Sequence, residues 1–507
     1  MLSWLVWLPI IAGAGLLILN NRPWLHWAAL GIAAVTFVLS LFLLLFFDGS
    51  SASLQWVERV NWIDIAGIKI DYYLGVDGIA LPLVLLNTFI TLFAIGSGWE
   101  NKRQPAQFFA AFVIMEGVVN GVFLAQDAML FYIFFEAMLI PLFIIIGVWG
   151  GPKRVYATIK FFLYTFFGSV FFFISLIYLY QHANGSFALQ DLYRHPVGQD
   201  AQALIFFALL LAFGVKIPMW PVHTWLPDAH VEAPTAGSVI LAAITLKVGG
   251  YAIIRFVLPL LSDAVSMYYW VPMVLSLIAI VYIGFVALVQ TDMKKLIAYS
   301  SIAHMGFVTL GFFMVHWLVG SGGDADIPIV ALQGAMVQMV SHGFISAAMF
   351  LCIGVLYDRM HTREIKAYGG VVNRMPWLAT FFVFFAMANA ALPGTSGFVG
   401  EFLVITASVA WTTSILVALT ASLTLVIGAA YNLWLVKRVI WGEVTHAEVD
   451  KLDDLSRREM LMLGGLAVAV LVLGLWPAPL MDIMNASLDH LIQHIRAAVE
   501  LKGQGVQ

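Results

Sequence analysis

Apolar stretches of about twenty residues, apolar on every face, alternate along this chain with short polar or Gly/Pro-rich breaks. A helix needs about 20 mostly apolar residues to cross a hydrocarbon core roughly 30 Å thick. Fourteen runs fit that requirement: near 3–20, 26–47, 77–98, 107–125, 128–149, 158–181, 201–222, 234–257, 267–289, 296–315, 328–356, 376–407, 411–436 and 459–476. None alternates as a barrel strand would. The pattern predicts an all-α polytopic membrane protein with about 14 transmembrane helices. After Pro477 the pattern changes: Leu488, Leu491, Ile492 and Ile495 recur at helical spacing between polar residues, which predicts a short amphipathic surface helix.

Composition agrees and narrows the function classes. Hydrophobic residues make up 62% of the 507 and charged residues 11%, against about 25% charged in an ordinary soluble domain. Fourteen spans would use about 280 residues, leaving little for a water-soluble domain. A soluble enzyme and a disordered tail are excluded. So is a nucleic-acid binder, because a net charge of −4 offers no basic face for phosphates. The single Cys352 excludes an intramolecular disulfide framework and a Cys-held cluster. No basic residue precedes Arg22, so a cleavable leader is not expected.

The 25 basic residues set the orientation. Sixteen lie in loops that follow odd-numbered spans, five in loops after even-numbered spans or in the C-terminal tail, and four inside spans. Positive charge favours the cytoplasmic side. Both termini are therefore expected on the non-cytoplasmic side, with the bacterial inner membrane as the expected location.

Charge at mid-bilayer costs from about 2.5 kcal/mol upward, so such residues face the bundle interior and mark ion or proton routes. Glu136 is nine residues into its run, about 14 Å at 1.5 Å per residue, near the midplane. Lys216, Lys247, His304, His342, Glu401 and Glu116 lie at comparable depths in other runs. Each has a plainer reading as a hydrogen-bonding group or a fixed counter-ion, and for the two histidines and Glu116 that reading weighs about as much. Arg255 and Lys160, near helix ends, are expected to snorkel. A carboxylate and an ammonium at about 4 Å attract by about 4 kcal/mol at an effective dielectric near 20. That exceeds the roughly 2.3 kcal/mol needed to move one proton against 100 mV, so motion of Glu136 relative to Lys216 would suffice to drive a proton.

Backbone breaks fall beside two of these residues. Val215-Lys216-Ile217-Pro218 puts a proline just after a lysine, and Leu392-Pro393-Gly394-Thr395-Ser396-Gly397-Phe398-Val399-Gly400-Glu401 puts Pro and Gly before a glutamate. Interrupted helices are tolerated at this depth where they line a cavity. They are the fourth members of two five-helix blocks, spans 4–8 and 9–13, which, being odd in number, must be mutually inverted. Such paired breaks mark a transport route. The implied organisation is 1–104 for the first three spans, 105–258 and 259–440 for the two repeats, and 441–507 for the last span and tail.

Redox signals are missing. There is no dinucleotide fingerprint, and His223 and His230, on either side of Pro227, have the spacing of neither a zinc helix motif nor an obvious haem pair.

Several stretches resemble the antiporter-like membrane-arm subunits of the proton-pumping NADH:quinone oxidoreductase (respiratory complex I). The most specific runs from Phe213 to Ser238 and contains Val215-Lys216-Ile217-Pro218, His223-Thr224-Trp225-Leu226-Pro227-Asp228-Ala229-His230 and Ala233-Pro234-Thr235-Ala236-Gly237-Ser238. Phe134-Phe135-Glu136, Asp292-Met293-Lys294-Lys295, His304-Met305-Gly306 and Ser341-His342-Gly343 support it. The likeness is to the branch with glutamate at position 401, where the sister L and N types place lysine. The resemblance implies that Glu136 and Lys216 form a coupled pair, that Lys247 is the central proton carrier, that His304 relays protons, and that Glu401 is the terminal carrier. His342 and Glu116 remain secondary candidates. It also implies that no cofactor or metal sits in this chain, with NADH, flavin, iron–sulfur clusters and quinone in partner subunits, and that the neighbours are the L and N types. Two alternatives stand beside a proton-translocating subunit: a subunit of a multi-chain cation/proton antiporter or membrane-bound hydrogenase, and a purely structural membrane scaffold.

Overall fold

The computed structural model describes residues 1–19, 22–65, 67–322, 326–409 and 415–504. Each apolar run lies on one helix or on several helical segments in series; the end of the first run and the start of the run near 411–436 fall outside the described residues. Among the described residues, twelve helices are long and apolar enough to cross a bilayer, and three shorter apolar helices, Leu2–Ile18, Pro376–Asn389 and Ser396–Val409, accompany them.

The most enclosed helices are Pro105–Leu124, Thr235–Val257, Met293–Gly320 and Ile327–Met360, whose side chains are almost all covered by the chain itself. Helices such as Leu25–Leu45 and Arg457–Leu475 leave most of their apolar surface outward. Together the inner four carry Gly, Ser, Thr, Asn and His among their apolar residues, and small or hydrogen-bonding residues are what let helices approach closely when lipid competes for apolar surface. Glu116, Lys247, His304 and His342, which lie on these helices, are thereby shielded from acyl chains.

Two expectations need correction. The chain is not wholly helical: Gln55–Ile65 and Ile68–Val76 pair as an antiparallel hairpin, Ile65 opposite Ile68, with Gly67 in its turn at φ 84°. A search for unbroken apolar runs passes over it, because charged and apolar residues are mixed in Val57-Glu58-Arg59-Val60-Asn61-Trp62-Ile63-Asp64. The hairpin is tied to the bundle where the Gln126 N–H donates to the Tyr73 carbonyl at 2.8 Å. The C-terminal helix is also longer than its periodic core suggested, running Ala478–Gln504. Leu488, Leu491, Ile492 and Ile495 are buried as their spacing requires, and Ser487 accepts the Gly78 N–H at 3.0 Å.

Candidate functional site

Glu136 stands one residue before the end of the helix Ala128–Ala137. Asp127 caps the start of this helix, accepting the Met129 and Leu130 N–H groups, each at 2.9 Å. Burial pushes the Asp127 carboxyl up to about 6, opposed by these donors and by the Asp71 N–H. The chain turns at Met138 and resumes as Leu139–Trp149. Pro141 explains the break, since it has no N–H for the Ala137 carbonyl. The run near 128–149 is thus interrupted immediately after its carboxylate, a break additional to the two expected.

Lys216 ends the helix Gln199–Lys216, and the chain resumes helical form at Trp225–Glu232. Pro218 forces the ending. The Val215 carbonyl left without its usual helical partner is taken by the Trp225 indole N–H at 2.8 Å, as a buried acceptor requires. Lys216 is buried, with its Nζ unpartnered among the described residues and 4.7 Å from the centre of the Phe135 ring. Glu136 and Lys216 form no contact ion pair, and one Glu136 carboxyl oxygen is buried without a partner among the described residues.

Lys247 lies in Leu246–Ala252, between two π-helical turns, Leu241–Thr245 and Ile253–Val257. Single wide turns of this kind occur often at functional sites. Its side chain is fully buried. Nζ donates to the Ala242 carbonyl at 2.6 Å and meets His342 Nδ1 at 2.7 Å. The His342 and His304 ring centres are 5.9 Å apart. His304 Nδ1 is 2.6 Å from Glu401 Oε1, and its Nε2 is 3.3 Å from the Tyr431 hydroxyl. Gln338 donates to the same Glu401 oxygen at 3.1 Å.

The twelfth run breaks between Pro376–Asn389 and Ser396–Val409, with Gly394 at φ 90° in the connection. Gly400 makes the approach of Glu401 possible. A Cβ there would lie 2.7 Å from the Gln338 backbone nitrogen, so a side chain would push the second half-helix off Ile327–Met360.

The structure therefore assembles Lys247, His342, His304 and Glu401 into one buried line. Glu136 and Lys216 form a second group beside it: the helix of Lys247 packs on the end of the helix of Lys216, where a Cβ on Gly249 would sit 2.7 Å from the Ile217 nitrogen. Glu116 joins neither, and both its carboxyl oxygens are buried without a partner among the described residues. His342, a secondary candidate, proves to be the link on which the line depends. Tyr431, Gln338 and the Ala242 carbonyl were missed, since neutral polar groups within apolar runs give no signal of their own.

Arg255 and Lys294 sit differently from expectation, while Lys160 keeps a partly exposed side chain. Arg255 does not snorkel; its side chain is largely covered and pairs with Asp77. Lys160 is held by Asp228 at 2.7 Å. Lys294, counted as a loop cation, is buried at the start of Met293–Gly320 and donates to the Ala233 carbonyl at 2.8 Å. His230 lies flat on Phe350, ring centres 4.5 Å apart. No group of three or more His, Cys, Asp or Glu that could hold a metal occurs among the described residues.

Interrupted helices around a buried row of acids, bases and imidazoles define a transporter-like membrane subunit. Residues 125–428 match the model of the family described as NADH:quinone oxidoreductase/Mrp antiporter, TM, and the chain belongs to that family. It is 45% identical to NADH-quinone oxidoreductase subunit M of Rhodobacter capsulatus, over 98% of this chain and 97% of that one. It is 41% identical to NADH-ubiquinone oxidoreductase chain 4 of Marchantia polymorpha, over 97% of each. Among solved structures, a chain of respiratory complex I from Thermus thermophilus with bound NADH superposes with a TM-score of 0.86 at 28% identity, covering 98% of this chain and 100% of that one. A chain of the Mrp complex from Dietzia sp. shares the fold, with a TM-score of 0.82 at 19% identity, covering 97% of this chain and 98% of that one.

Proposed function

We propose that this chain is the M-type (chain 4) membrane-arm subunit of NADH:quinone oxidoreductase and that it moves protons along its buried titratable side chains. NADH, flavin, clusters and quinone then belong to partner subunits, with the L and N types as membrane neighbours. The observation that carries the reading is the line from Lys247 through His342 and His304 to Glu401. Each named contact along it is at hydrogen-bonding distance except the 5.9 Å between imidazole centres, and proton transfer requires about 2.6–3.2 Å or one bridging water. Identities of 45% and 41% to oxidoreductase subunits over nearly the whole chain favour this reading over a stand-alone cation/proton antiporter.

His304→Gln tests it. The amide keeps a hydrogen bond to Glu401 but cannot carry a proton at neutral pH. The assembled complex is expected to form in normal amount and to pump several-fold fewer protons per NADH in vesicles. Undiminished pumping would remove His304 from the route.

Two further parts of the reading have their own tests. Units 105–258 and 259–440 are proposed to be inverted repeats, supported by the breaks after Lys216 and Asn389; a best superposition that leaves those breaks out of register would refute it. Both termini are proposed to lie outside the cytoplasm of a bacterial inner membrane. Because Cys352 is buried, a cysteine placed at exposed Gln104 should be the main site labelled by an impermeant maleimide. Labelling is expected in inverted vesicles only, and labelling from intact cells would reverse the orientation.

A further inference from the structure

A cavity of about 400 Å³ opens between the connection joining Leu2–Ile18 to Leu25–Leu45 and the connection joining Ala80–Ser97 to Pro105–Leu124. Its wall includes two cations, Arg22 and Lys102, together with His26, Trp99, Gln104 and Gln107. Among the described residues, none that lines it is acidic. It is on the side of the bundle where the basic loops gather, and it is remote in sequence from every residue of the proton line.

Three features of the cavity act on the same kind of ligand. Arg22 and Lys102 are exposed cations on facing connections, each in a loop. The helix Pro105–Leu124 starts at the cavity without a side-chain cap: its N-cap residue Gln104 is left-handed at φ 49°, and Pro105 has no N–H. The first free backbone N–H groups of a twenty-residue helix, and the positive end of its dipole, therefore open on the same space. Next to the cavity lies a cluster of tryptophans. Trp99 packs edge-on against Trp27 at 4.7 Å and against His26 at 4.1 Å, while Trp24 and Trp27 are 48% and 61% exposed. Exposed tryptophan marks the headgroup level of a bilayer.

We propose that this cavity binds the phosphate of an anionic phospholipid in the leaflet on that side. The chemistry selects a singly charged phosphodiester: two cations and backbone donors for the phosphate, with His26 and the glutamines for a hydroxylated headgroup. A membrane lipid is favoured over a soluble phosphate because Leu25–Leu45, directly below, turns apolar side chains outward, with Val35, Val38, Phe42 and Leu45 exposed. The acyl chains run down this face while the headgroup rests on Arg22 and Lys102. Basic pockets between spanning helices on the cytoplasmic side hold anionic headgroups in this manner.

The test uses the assembled complex reconstituted in vesicles of phosphatidylcholine containing a small fraction of a photoactivatable phospholipid. A phosphatidylglycerol probe should crosslink to peptides spanning residues 22–27 and 99–109 several-fold more than a phosphatidylcholine probe. Excess inorganic phosphate should not compete. The variant R22Q/K102Q, which keeps length and polarity while removing both charges, should lose at least about tenfold of this labelling, since each cation near the surface contributes roughly fivefold. Crosslinking elsewhere on the chain should be unchanged, which shows that the variant is folded. Equal labelling by the two probes, or labelling unchanged in R22Q/K102Q, overturns the site. Complete competition by phosphate overturns the lipid as its ligand.

Discussion

Lys247→Ala is expected to reduce proton translocation by the assembled complex at least tenfold, the largest functional effect of any single side chain here. The Lys247 ammonium holds the Ala242 carbonyl on one side and the His342 imidazole on the other. It is the base at one end of the line, and nothing else among its named contacts titrates except His342. Truncation to a methyl removes the carrier and opens a gap several bonds long, well beyond the reach of direct proton transfer. Lys247→Arg distinguishes carriage from mere charge. Guanidinium keeps a cation in the cavity, so a fixed counter-ion role would be largely preserved. It cannot be deprotonated in a protein, so a carrier role would be lost as fully as in Lys247→Ala. The measurement is NADH-driven acidification of inverted vesicles, normalised to assembled complex on a native gel. Near-normal acidification with Lys247→Arg would make Lys247 a structural cation.

On the proposed reading, Glu136 and Lys216 act as a control rather than a segment of the line. Without a contact ion pair and with Phe135 beside the ammonium, small movements of either broken helix change the separation of the two charges. At an effective dielectric near 20, lengthening a separation from about 4 to 8 Å weakens the attraction by about 2 kcal/mol, comparable with the work of moving one proton through 100 mV. Both residues stand at helix ends created by proline, Lys216 before Pro218 and Glu136 before Pro141. The sequence order thus places each charge at a joint, where a shift of the backbone costs least.

The parts of this arrangement that were legible in the sequence share one property: they violate an energetic rule. A Lys, Glu or His inside twenty apolar residues is costly, and so Glu136, Lys216, Lys247, His304 and Glu401 could be singled out one at a time. Which of them touch could not be read. His304 and Glu401 are 97 positions apart and Lys247 and His342 are 95, and helical periodicity says nothing about pairing over such separations. The π turns around Lys247 change no hydropathy and left no trace. The break after Glu136 did leave one in Pro141, overshadowed by the richer Pro/Gly signals at 218 and 393. The hairpin was invisible for the opposite reason: its strands have neither the length nor the uniformity of a span.

Asp77→Ala is expected to be the most destabilising single change, and the reasoning starts from Arg255. A side chain near the end of an isolated span would reach for water, but here Arg255 is 11% and Asp77 7% exposed. The guanidinium stacks over the Tyr251 ring at 5.0 Å. Asp77 has a second duty, accepting the Ile79 and Ala80 N–H groups at 3.1 and 3.0 Å at the start of Ala80–Ser97. Removing one member of a buried pair leaves an uncompensated charge and costs about 3–5 kcal/mol, and losing the cap adds about 1 kcal/mol. Against a net stability of about 5–15 kcal/mol for a typical folded unit, this should appear as a large fall in the Tm of the purified complex or in the amount assembled. Asp77→Asn, which keeps the cap acceptor but not the charge, should recover only the smaller part. The double variant D77N/R255M removes the stranded cation as well and should recover most of the rest, because a buried ion pair replaced by uncharged groups of similar volume is often near neutral. If D77N/R255M were no more stable than Asp77→Asn, the stranded cation would not be the source of the loss, and the weight of this contact would lie in the cap alone.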